Sequence, residues 1–384
     1  MDAPRPCDGR LPSPARRRLI ASAALLPASA LPGPAAAGTV AYPVVSPRAL
    51  AFPRDYGAHP EFRTEWWYLT GWLEAAGAEP ALGFQLTFFR TRPDVRPAAG
   101  SAFAAEQLVI AHAALADPRV GHLLHDERIA RAGFGAAFAG TDDTALKLDR
   151  WRFTRDPATG AYRAEIPARG FGLALSATPT QPPLLQGQGG WSRKGPFVEQ
   201  ASYYYTQPQL AVQAELRREG RTQARRGLGW LDHEWSSTLL DPRAAGWDWV
   251  GMNLDDGSAL TAFRVRPQAG AGGAGGAGDE PLWAYASLRA RGGAVQVYGP
   301  EAVQFATLES WRSPRTGAVW PVAQRLRVGA REFEIRPLMP DQELDSRRST
   351  GAVYWEGAST LSEAGRPVGR GYLEMTGYLE PMRL

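Results

Sequence analysis

Cysteine and lysine are both scarce in this 384-residue chain. The single cysteine, Cys7, lies in a segment that we predict to be removed, so the remaining chain has no disulfide and no thiol chemistry. The only lysines are Lys147 and Lys194, and arginine supplies the other positive charges. No apolar run after residue 37 is long enough for a membrane-spanning helix.

The first 37 residues have the pattern of an export signal. Arg16-Arg17-Arg18 precede an apolar stretch from Leu19 to Leu31, and Ala35-Ala36-Ala37 provide a small-residue cleavage pattern. The Arg-Arg-x-Leu-Ile run resembles a twin-arginine signal, with Sec-type export as the alternative. We therefore expect a periplasmic or secreted protein once residues 1–37 are cleaved.

The remaining chain carries little net charge. The full sequence has a formal charge of +4, and its first 37 residues hold five arginines and two aspartates, so about +1 remains. A basic stripe for nucleic acid is therefore missing, and nucleic acid is not an expected partner. The roughly 345 residues that remain exceed what one core comfortably holds, which favours two domains.

Alternation with a period of two dominates the chain after residue 60. Short segments rich in aromatic and β-branched residues, from Glu65–Leu73 to Tyr372–Tyr378, are separated by Gly, Pro and Asp. No long helical period competes, so the predicted fold class is all-β.

An internal repeat accompanies the strands. Gly83–Arg90 matches Gly257–Arg264 at five positions, and Gly227-Leu-Gly-Trp-Leu-Asp232 is echoed by Gly369-Arg-Gly-Tyr-Leu-Glu374 in the same order. Units of this size suit antiparallel barrels, which can enclose an apolar ligand. We predict one barrel over residues 55–237 and a second over 246–384.

The most informative segment is the run of acidic, imidazole and indole side chains from Asp232 to Trp235. In an extended strand, His233 and Trp235 share one face while Asp232 and Glu234 share the other. An imidazole beside an indole suits a pocket for an apolar, unsaturated ligand. An ordinary core strand with a hydrogen-bonded His233 is the alternative.

Several motifs together resemble the AttH-like family, which includes the carotenoid 1,2-hydratases (hydroxyneurosporene synthases) and predicted secreted hydrolases. They extend over about residues 55–384 and are, in order, Arg63-Thr-Glu-Trp-Trp-Tyr68, Ala111-His112 with Asp117, Trp191-Ser-Arg-Lys-Gly195, Ala201-Ser-Tyr-Tyr-Tyr-Thr206, Trp230–Ser237, Trp247-Asp-Trp249 and Gly371–Tyr378. The resemblance implies two tandem lipocalin-like antiparallel β-barrels.

The two branches of the family imply different reactions. The hydratase branch implies a functional His-x-Trp pair, which His233 and Trp235 match. The same branch implies a Tyr-x-Asp pair on the following strand, where this chain reads Leu260-Thr-Ala-Phe-Arg264 instead. The Asp-His-Glu-Trp-Ser-Ser form is closer to the secreted-hydrolase branch.

We predict catalytic roles for His233, Trp235, Asp232 and Glu234. A buried carboxyl with a raised pKa could protonate an alkene, an indole could face the resulting cation, and His233 could act as a base in hydrolysis. No Gly-x-Ser-x-Gly elbow supports a serine nucleophile, and no compact motif supports a metal. No metal or cofactor is expected.

The expected ligand is a hydrophobic small molecule, a lipid or isoprenoid. The residues predicted to bind it are Glu65, Trp67, His112, Lys194, Tyr204 and Trp249. The predicted activity is that of a hydratase or hydrolase on this ligand. The alternative is a non-catalytic lipid carrier associated with an envelope ABC transporter permease, a partner that the family resemblance alone implies.

Overall fold

The structure is a computed structural model that describes residues 40–77, 79–94, 105–238, 240–269, 280–291 and 293–382. The predicted signal over residues 1–37 and most of the Gly/Ala-rich run at 268–279 lie outside these ranges. The described part contains β-strands and two short 3-10 turns, Arg54–Tyr56 and Pro300–Ala302, with no α-helix. None of its helical segments could cross a membrane. The all-β prediction is confirmed.

The first sheet forms a nearly closed antiparallel barrel. Its strands are β1 (Thr64–Leu73), β2 (Leu82–Thr91), β3 (Leu108–Ala116), β4 (Leu123–Arg131), β5 (Ala137–Ala139), β6 (Ala145–Leu148), β7 (Trp151–Arg155), β8 (Tyr162–Pro167), β9 (Gly172–Thr178), β10 (Leu184–Leu185), β11 (Trp191–Arg193), β12 (Ala201–Arg218) and β13 (Arg221–Thr238). Along the sheet the order is β4-β3-β2-β1-β13-β12-β9-β8-β7-β6-β5, with β10 and β11 pairing to β12.

The second sheet is a half-barrel with a related order. Its strands are β14 (Ala244–Leu254), β15 (Ala259–Pro267), β16 (Trp283–Arg289), β17 (Val295–Tyr298), β18 (Val303–Arg312), β19 (Val319–Val328), β20 (Arg331–Pro337), β21 (Glu343–Ser346), β22 (Ala352–Glu363) and β23 (Arg366–Thr376). They follow the order β17-β16-β15-β14-β23-β22-β20-β19-β18, with β21 pairing to β22.

The strand order explains the repeat in the sequence. In each sheet the first strand pairs on one side with the next strand and on the other with the last strand, β13 for β1 and β23 for β14. The Gly83 motif falls on β2 and the Gly257 motif leads into β15, and these two strands occupy the same place in the two sheets. The two tandem barrels are therefore built on one strand plan.

Long strands carry the most alternating sequence. The alternating runs Tyr203–Thr206 and Leu210–Leu216 both belong to the single strand β12. The pairing of β12 with β13 is irregular between Gln207 and Leu210, where Pro208 lacks an amide donor and Gln209 takes a positive φ of 56°. The irregularity, rather than a chain reversal, interrupts the pattern.

Three of the five hydrophobic clusters among the described residues position the site. One fills the first barrel around Leu69 and Phe84, and another fills the half-barrel around Met252 and Leu373. The third joins the outer faces of the two sheets through aromatic side chains, namely Tyr68, Trp72, Trp230, Trp249, Phe263, Tyr285 and Tyr372. Because opposite faces of β1, β13 and β14 are both buried, these strands position side chains inside a barrel and between barrels.

Candidate functional site

A cavity of about 520 Å³ lies between the two sheets. Its walls come from β1, β2, β3, β4 and β13 on one side and from β14, β15, β22 and β23 on the other. The side chains that matter for chemistry are four carboxylates, one ammonium and several rings: Asp232, Glu234, Glu356, Glu374, Lys194, Trp66, Tyr68, Trp247, Trp249, Phe263 and Tyr354. An aromatic enclosure containing acidic groups is suited to an apolar ligand that reacts with protons.

Alternation along β13 divides the predicted catalytic residues between two environments. Asp232 and Glu234 point into the cavity between the sheets. His233 and Trp235 point the other way, and both are fully buried. His233 stacks on Trp67 inside the first barrel, whereas Trp235 packs in a separate cluster with Phe62 and Tyr203. Neither His233 nor Trp235 lines the cavity, so the four predicted catalytic residues do not form one group.

Asp232 is held by three hydrogen bonds. Thr206 Oγ1 and Trp230 Nε1 donate to its Oδ1 over 2.6 and 2.9 Å, and Tyr204 OH donates to its Oδ2 over 2.8 Å. Burial raises the pKa of Asp232 from 3.8 to about 7, against the opposing effect of these hydrogen bonds. Near neutral pH this carboxyl group therefore exchanges readily between its acid and base forms.

Glu356 and Glu374 are direct cross-strand neighbours on β22 and β23. Burial and then the charge of Glu374 raise the pKa of Glu356 well above its ordinary value. Burial raises the pKa of Glu374 to about 8, reinforced by the charges of Asp232 and Glu234. Two carboxylates at adjacent cross-strand positions repel each other, which keeps a proton on this pair at neutral pH.

The two glutamates differ in their hydrogen bonds. Tyr68 OH, from the first sheet, donates to Glu356 Oε2. Trp247 Nε1 donates to Glu374 Oε1 over 2.9 Å, while no described residue hydrogen-bonds to Glu374 Oε2. Glu374 is partly exposed and lines the cavity. Its free oxygen is therefore available to a ligand.

Lys194 and Glu234 form a buried ion pair at the cavity wall. Lys194 Nζ lies 3.0 Å from Glu234 Oε1 and sits over the rings of Tyr204 and Phe263, at 4.3 and 4.2 Å from their centroids. Burial lowers the pKa of Lys194, and the charge of Glu234 partly offsets this effect. The pair places an amine and a carboxylate side by side in a site lined by aromatic rings.

His233 belongs to a separate network inside the first barrel. Its Nε2 lies 2.9 Å from Glu65 Oε1 and its Nδ1 lies 3.1 Å from Tyr205 OH, while its ring stacks on Trp67. Burial lowers the pKa of His233 to about 4, so the ring is neutral. The ring donates to Glu65 through Nε2 and accepts from the tyrosine through Nδ1.

Glu65 is the centre of that network. Its Oε1 also lies 2.7 Å from His59 Nδ1, and its Oε2 accepts from Arg90 Nε and from the His59 amide, both over 2.8 Å. Burial opposes protonation of His59, but Glu65 and Asp55 outweigh it and raise the pKa of the imidazole. Every oxygen of Glu65 is thus satisfied without a ligand.

The same three residues are the described ones that come nearest to a metal site. Ligand atoms of His59, Glu65 and His233 lie within 4.8 Å of one another. However, Arg90 and Arg48 already pair with Glu65 and with Asp55, which binds the other nitrogen of His59. A divalent cation would add uncompensated charge to a fully buried, hydrogen-bonded cluster, so the donor set fits a metal poorly.

The predicted ligand-binding residues are distributed unevenly. Lys194 and Trp249 line the cavity, and Tyr204 reaches it through the bonds of its hydroxyl group to Asp232 and Trp249 Nε1. Glu65 and Trp67 lie inside the first barrel, away from the cavity.

His112 lies behind the cavity wall. Its Nε2 is 2.9 Å from Ser349 Oγ, and Ser349 itself lines the cavity and also donates to Glu127. Burial lowers the pKa of His112 to about 3. The imidazole is therefore neutral and a weak base.

Glu356, Glu374 and His59 were not among the sequence candidates. The signal for Glu374 was present, because Gly369–Glu374 repeats Gly227–Asp232 and ends on the same kind of side chain. Nothing in the sequence marks His59, which comes from the segment before β1 and meets Glu65 and His233 only in the folded chain.

Comparisons with known proteins agree with this architecture. A family model described as AttH-like matches residues 43–378. A Nitrosomonas europaea protein, solved at 2.00 Å and described as an AttH candidate, is 52% identical, with a TM-score of 0.80 over 88% of this chain and 100% of that one. Kievitone hydratase from Nectria haematococca shares the fold at 13% identity, with a TM-score of 0.63 over 90% of this chain and 96% of that one. Among curated proteins, none matches the chain.

Proposed function

The chain belongs to the AttH-like family, and from that premise we propose that it is a hydratase adding water across a carbon–carbon double bond of an apolar ligand held between its two barrels. A lipid or isoprenoid with an isolated alkene is the substrate class that fits the cavity walls. We propose that the protein acts after export, because residues 1–37 have the pattern of a signal.

The observation that carries the proposal is Glu374. Its pKa of about 8 keeps it protonated at neutral pH, and its Oε2 has no hydrogen-bond partner among the described residues. An unactivated alkene is protonated only by an acid whose proton is already present and aimed at it. Glu374 meets that requirement on the cavity surface.

The neighbouring rings suit the cation that protonation creates. Trp249 is the direct cross-strand neighbour of Glu374, and Trp247 donates a hydrogen bond to it. Aromatic faces stabilise positive charge, most strongly when water is excluded. A carbocation formed next to Glu374 would thus meet indole rings before it meets solvent.

Asp232 completes the proposed chemistry as the base. Its pKa of about 7 leaves it largely ionised just above neutrality, where Glu374 is still mostly protonated. Two carboxyl groups with separated pKa values can take opposite roles in one site.

The proposed reaction consumes one water and regenerates both carboxyl groups. The proton of Glu374 moves to one alkene carbon, and the π electrons form the new C–H bond, leaving the other carbon positively charged. A water oxygen bonds to that carbon while Asp232 takes one of its protons. Transfer of that proton back to Glu374 through solvent restores both groups, and the product is an alcohol.

Hydrolysis is the second candidate because a serine hydroxyl faces the same cavity. Ser349 Oγ lies 2.9 Å from His112 Nε2, but the serine hydroxyl donates its one proton to Glu127, so His112 is not placed as its base. A base with a pKa of about 3 removes a proton from an alcohol far less readily than one near 7. This weak base makes the acid-catalysed reaction the better supported one.

The test uses an acyclic isoprenoid, geranylgeraniol, in water enriched in oxygen-18. We expect a product heavier by one labelled water, with a rate that rises as Asp232 ionises near pH 7 and falls as Glu374 ionises near pH 8. Glu374→Gln should lower kcat by about 10²–10⁴-fold, the usual contribution of a general acid.

Glu332→Gln is the matched control, because Glu332 is an exposed carboxylate on β20 of the same sheet. It should retain the wild-type rate. An unchanged rate in Glu374→Gln would refute the assignment of the acid. Copurified lipid without any hydrated product would instead support the carrier alternative, for which an ABC transporter permease is the proposed partner.

A further inference from the structure

Lys194 is held rigidly at the end of a short hairpin. It follows β11, and its amide donates to Gln200 O over 2.7 Å. The Gln200 side chain donates in turn to Asp241 Oδ2 over 3.1 Å. These bonds fix the backbone from which the lysine side chain enters the cavity.

The amine of Lys194 has an unusual environment for a lysine. Only 7% of its surface is exposed, and its Nζ contacts one carboxylate and two aromatic faces. An ammonium group can donate three hydrogen bonds, and no described residue other than Glu234 offers Nζ an acceptor. A buried amine of this kind loses its proton more easily, which makes it a nucleophile toward carbonyl carbon.

We propose that Lys194 forms an imine with an aldehyde or ketone group of an apolar ligand bound in the cavity between the barrels. The inference requires the cavity to admit an apolar carbonyl compound, and it does not require the hydration reaction proposed above. It adds a covalent binding site, with unsaturated or saturated aliphatic carbonyl compounds as the ligand class.

The neighbouring groups can carry the protons that imine formation moves. Glu234 accepts a proton from the ammonium, and the Nζ lone pair then bonds to the carbonyl carbon as the C=O π electrons move to oxygen. A neutral carboxyl group of the cavity protonates that oxygen and takes a proton from the nitrogen in exchange. Glu234 then returns its proton to the oxygen, which leaves as water while the Nζ lone pair forms the C=N bond. Overall, an ammonium and a carbonyl give a protonated imine and water, and the Glu234 carboxylate faces the new positive charge.

The scarcity of lysine makes the site directly testable. Lys147 is the only other lysine, and its Nζ lies in an exposed position where it donates to Gly135 O over 2.6 Å. The two lysines thus compare a buried amine with a solvated one in the same chain. The amino terminus is the remaining amine.

The experiment treats the full mature protein with decanal and sodium cyanoborohydride at pH 7, followed by peptide mapping by mass spectrometry. Reduction converts an imine into a stable decyl amine. We expect decyl-Lys194 to form faster than decyl-Lys147, since each unit by which a lysine pKa falls gives about tenfold more free amine at a fixed pH. Lys147→Arg should leave this labelling unchanged.

Two variants test the role of the surroundings. Lys194→Arg keeps the positive charge but cannot form the imine, so labelling of the 191–200 peptide should disappear. Glu234→Gln removes the proton acceptor and should slow labelling, while circular dichroism checks that each variant is folded. The peptide map of the wild-type protein tests the inference even if a variant fails to fold.

Labelling of Lys147 at a rate equal to or above that of Lys194 would overturn the inference. Decyl-Lys194 in a protein that hydrates no alkene would leave the imine site standing and remove the proposed hydratase. Hydration of geranylgeraniol without labelling of Lys194 would support the proposed hydratase and refute the imine site.

Discussion

Replacing Asp232 by asparagine should make the protein more stable at high pH. The carboxyl group is 3% exposed and accepts hydrogen bonds from Thr206, Trp230 and Tyr204. Asparagine has almost the same shape but cannot ionise. The variant therefore removes the cost of a buried negative charge and changes little else.

The magnitude follows from proton linkage. The pKa of Asp232 rises from 3.8 in the unfolded chain to about 7 in the folded one, so the folded state holds the proton more tightly. The resulting stabilisation is complete below pH 3.8 and is lost as the pH rises through 7. It amounts to about 4 kcal/mol in total, of which about 3 kcal/mol is lost between pH 5 and pH 9.

The variant also loses one hydrogen bond. An amide nitrogen in place of Oδ2 cannot accept from Tyr204 OH, which costs about 1 kcal/mol at every pH. We therefore expect Asp232→Asn to be less stable than the wild type by about 1 kcal/mol at low pH. By pH 9 the removal of the buried charge should reverse the order and leave the variant about 3 kcal/mol more stable.

The assay is urea unfolding followed by tryptophan fluorescence at pH 5, 7 and 9, with the free energy of unfolding of both proteins at each pH. Asp55→Asn is the opposite control. Burial acts to raise the pKa of Asp55, but hydrogen bonds from His59 and Arg48 outweigh it and lower the pKa. Its variant should therefore be less stable than the wild type throughout this range.

Parallel curves of the free energy of unfolding against pH for the two proteins would refute the reasoning. If the wild type and Asp232→Asn lose the same free energy of unfolding between pH 5 and pH 9, Asp232 is ionised at an ordinary pKa. The cavity would then be wet, and neither the proposed acid nor the proposed base would have the pKa that hydration requires.

Two further substitutions test other parts of the structure. His233→Ala should lower the free energy of unfolding by about 3–5 kcal/mol, because it leaves Glu65 without one hydrogen-bond donor in a fully buried network. Unchanged stability with loss of turnover would instead support the catalytic role predicted from the sequence. Gly251→Ala should lower the free energy of unfolding by about 1–3 kcal/mol and reduce the amount of ligand bound, because its Cβ would lie 2.3 Å from the Trp249 ring and 2.8 Å from Trp230. A variant that is as stable and binds as much ligand as the wild type would contradict the packing between the sheets.

The sequence was most informative where one strand face is apolar. The alternation of β1, β2 and β14 predicted those strands closely, because each has its core face filled by large side chains. It missed β4, whose sequence Leu-Leu-His-Asp-Glu-Arg-Ile-Ala-Arg is mostly polar and only partly buried. It also missed β6, β7 and β8, which are only four to six residues long. Such strands exist because the sheet supplies their partners.

The site was harder to predict than the fold. Alternation correctly placed Asp232 and Glu234 on one face of β13 and His233 and Trp235 on the other. It could not say which face meets a cavity, because that depends on which surface the second sheet covers. His233 was predicted to be catalytic from its side-chain type and from the family resemblance. The carboxyl groups with raised pKa values, however, face the cavity between the sheets.

The repeat itself explains why two acidic groups with raised pKa values face one cavity. Asp232 on β13 and Glu374 on β23 end the two matching sequence motifs, and each lies opposite an aromatic residue of the first strand in its sheet, Tyr68 or Trp249. A single copy of the unit would expose this carboxyl group on its outer face, where water would hold the pKa near its ordinary value. Packing the two outer faces together removes the water and brings the equivalent groups into one enclosure. The desolvation that prepares Glu374 as an acid and Asp232 as a base is therefore a property of the paired barrels, and neither barrel could provide it alone.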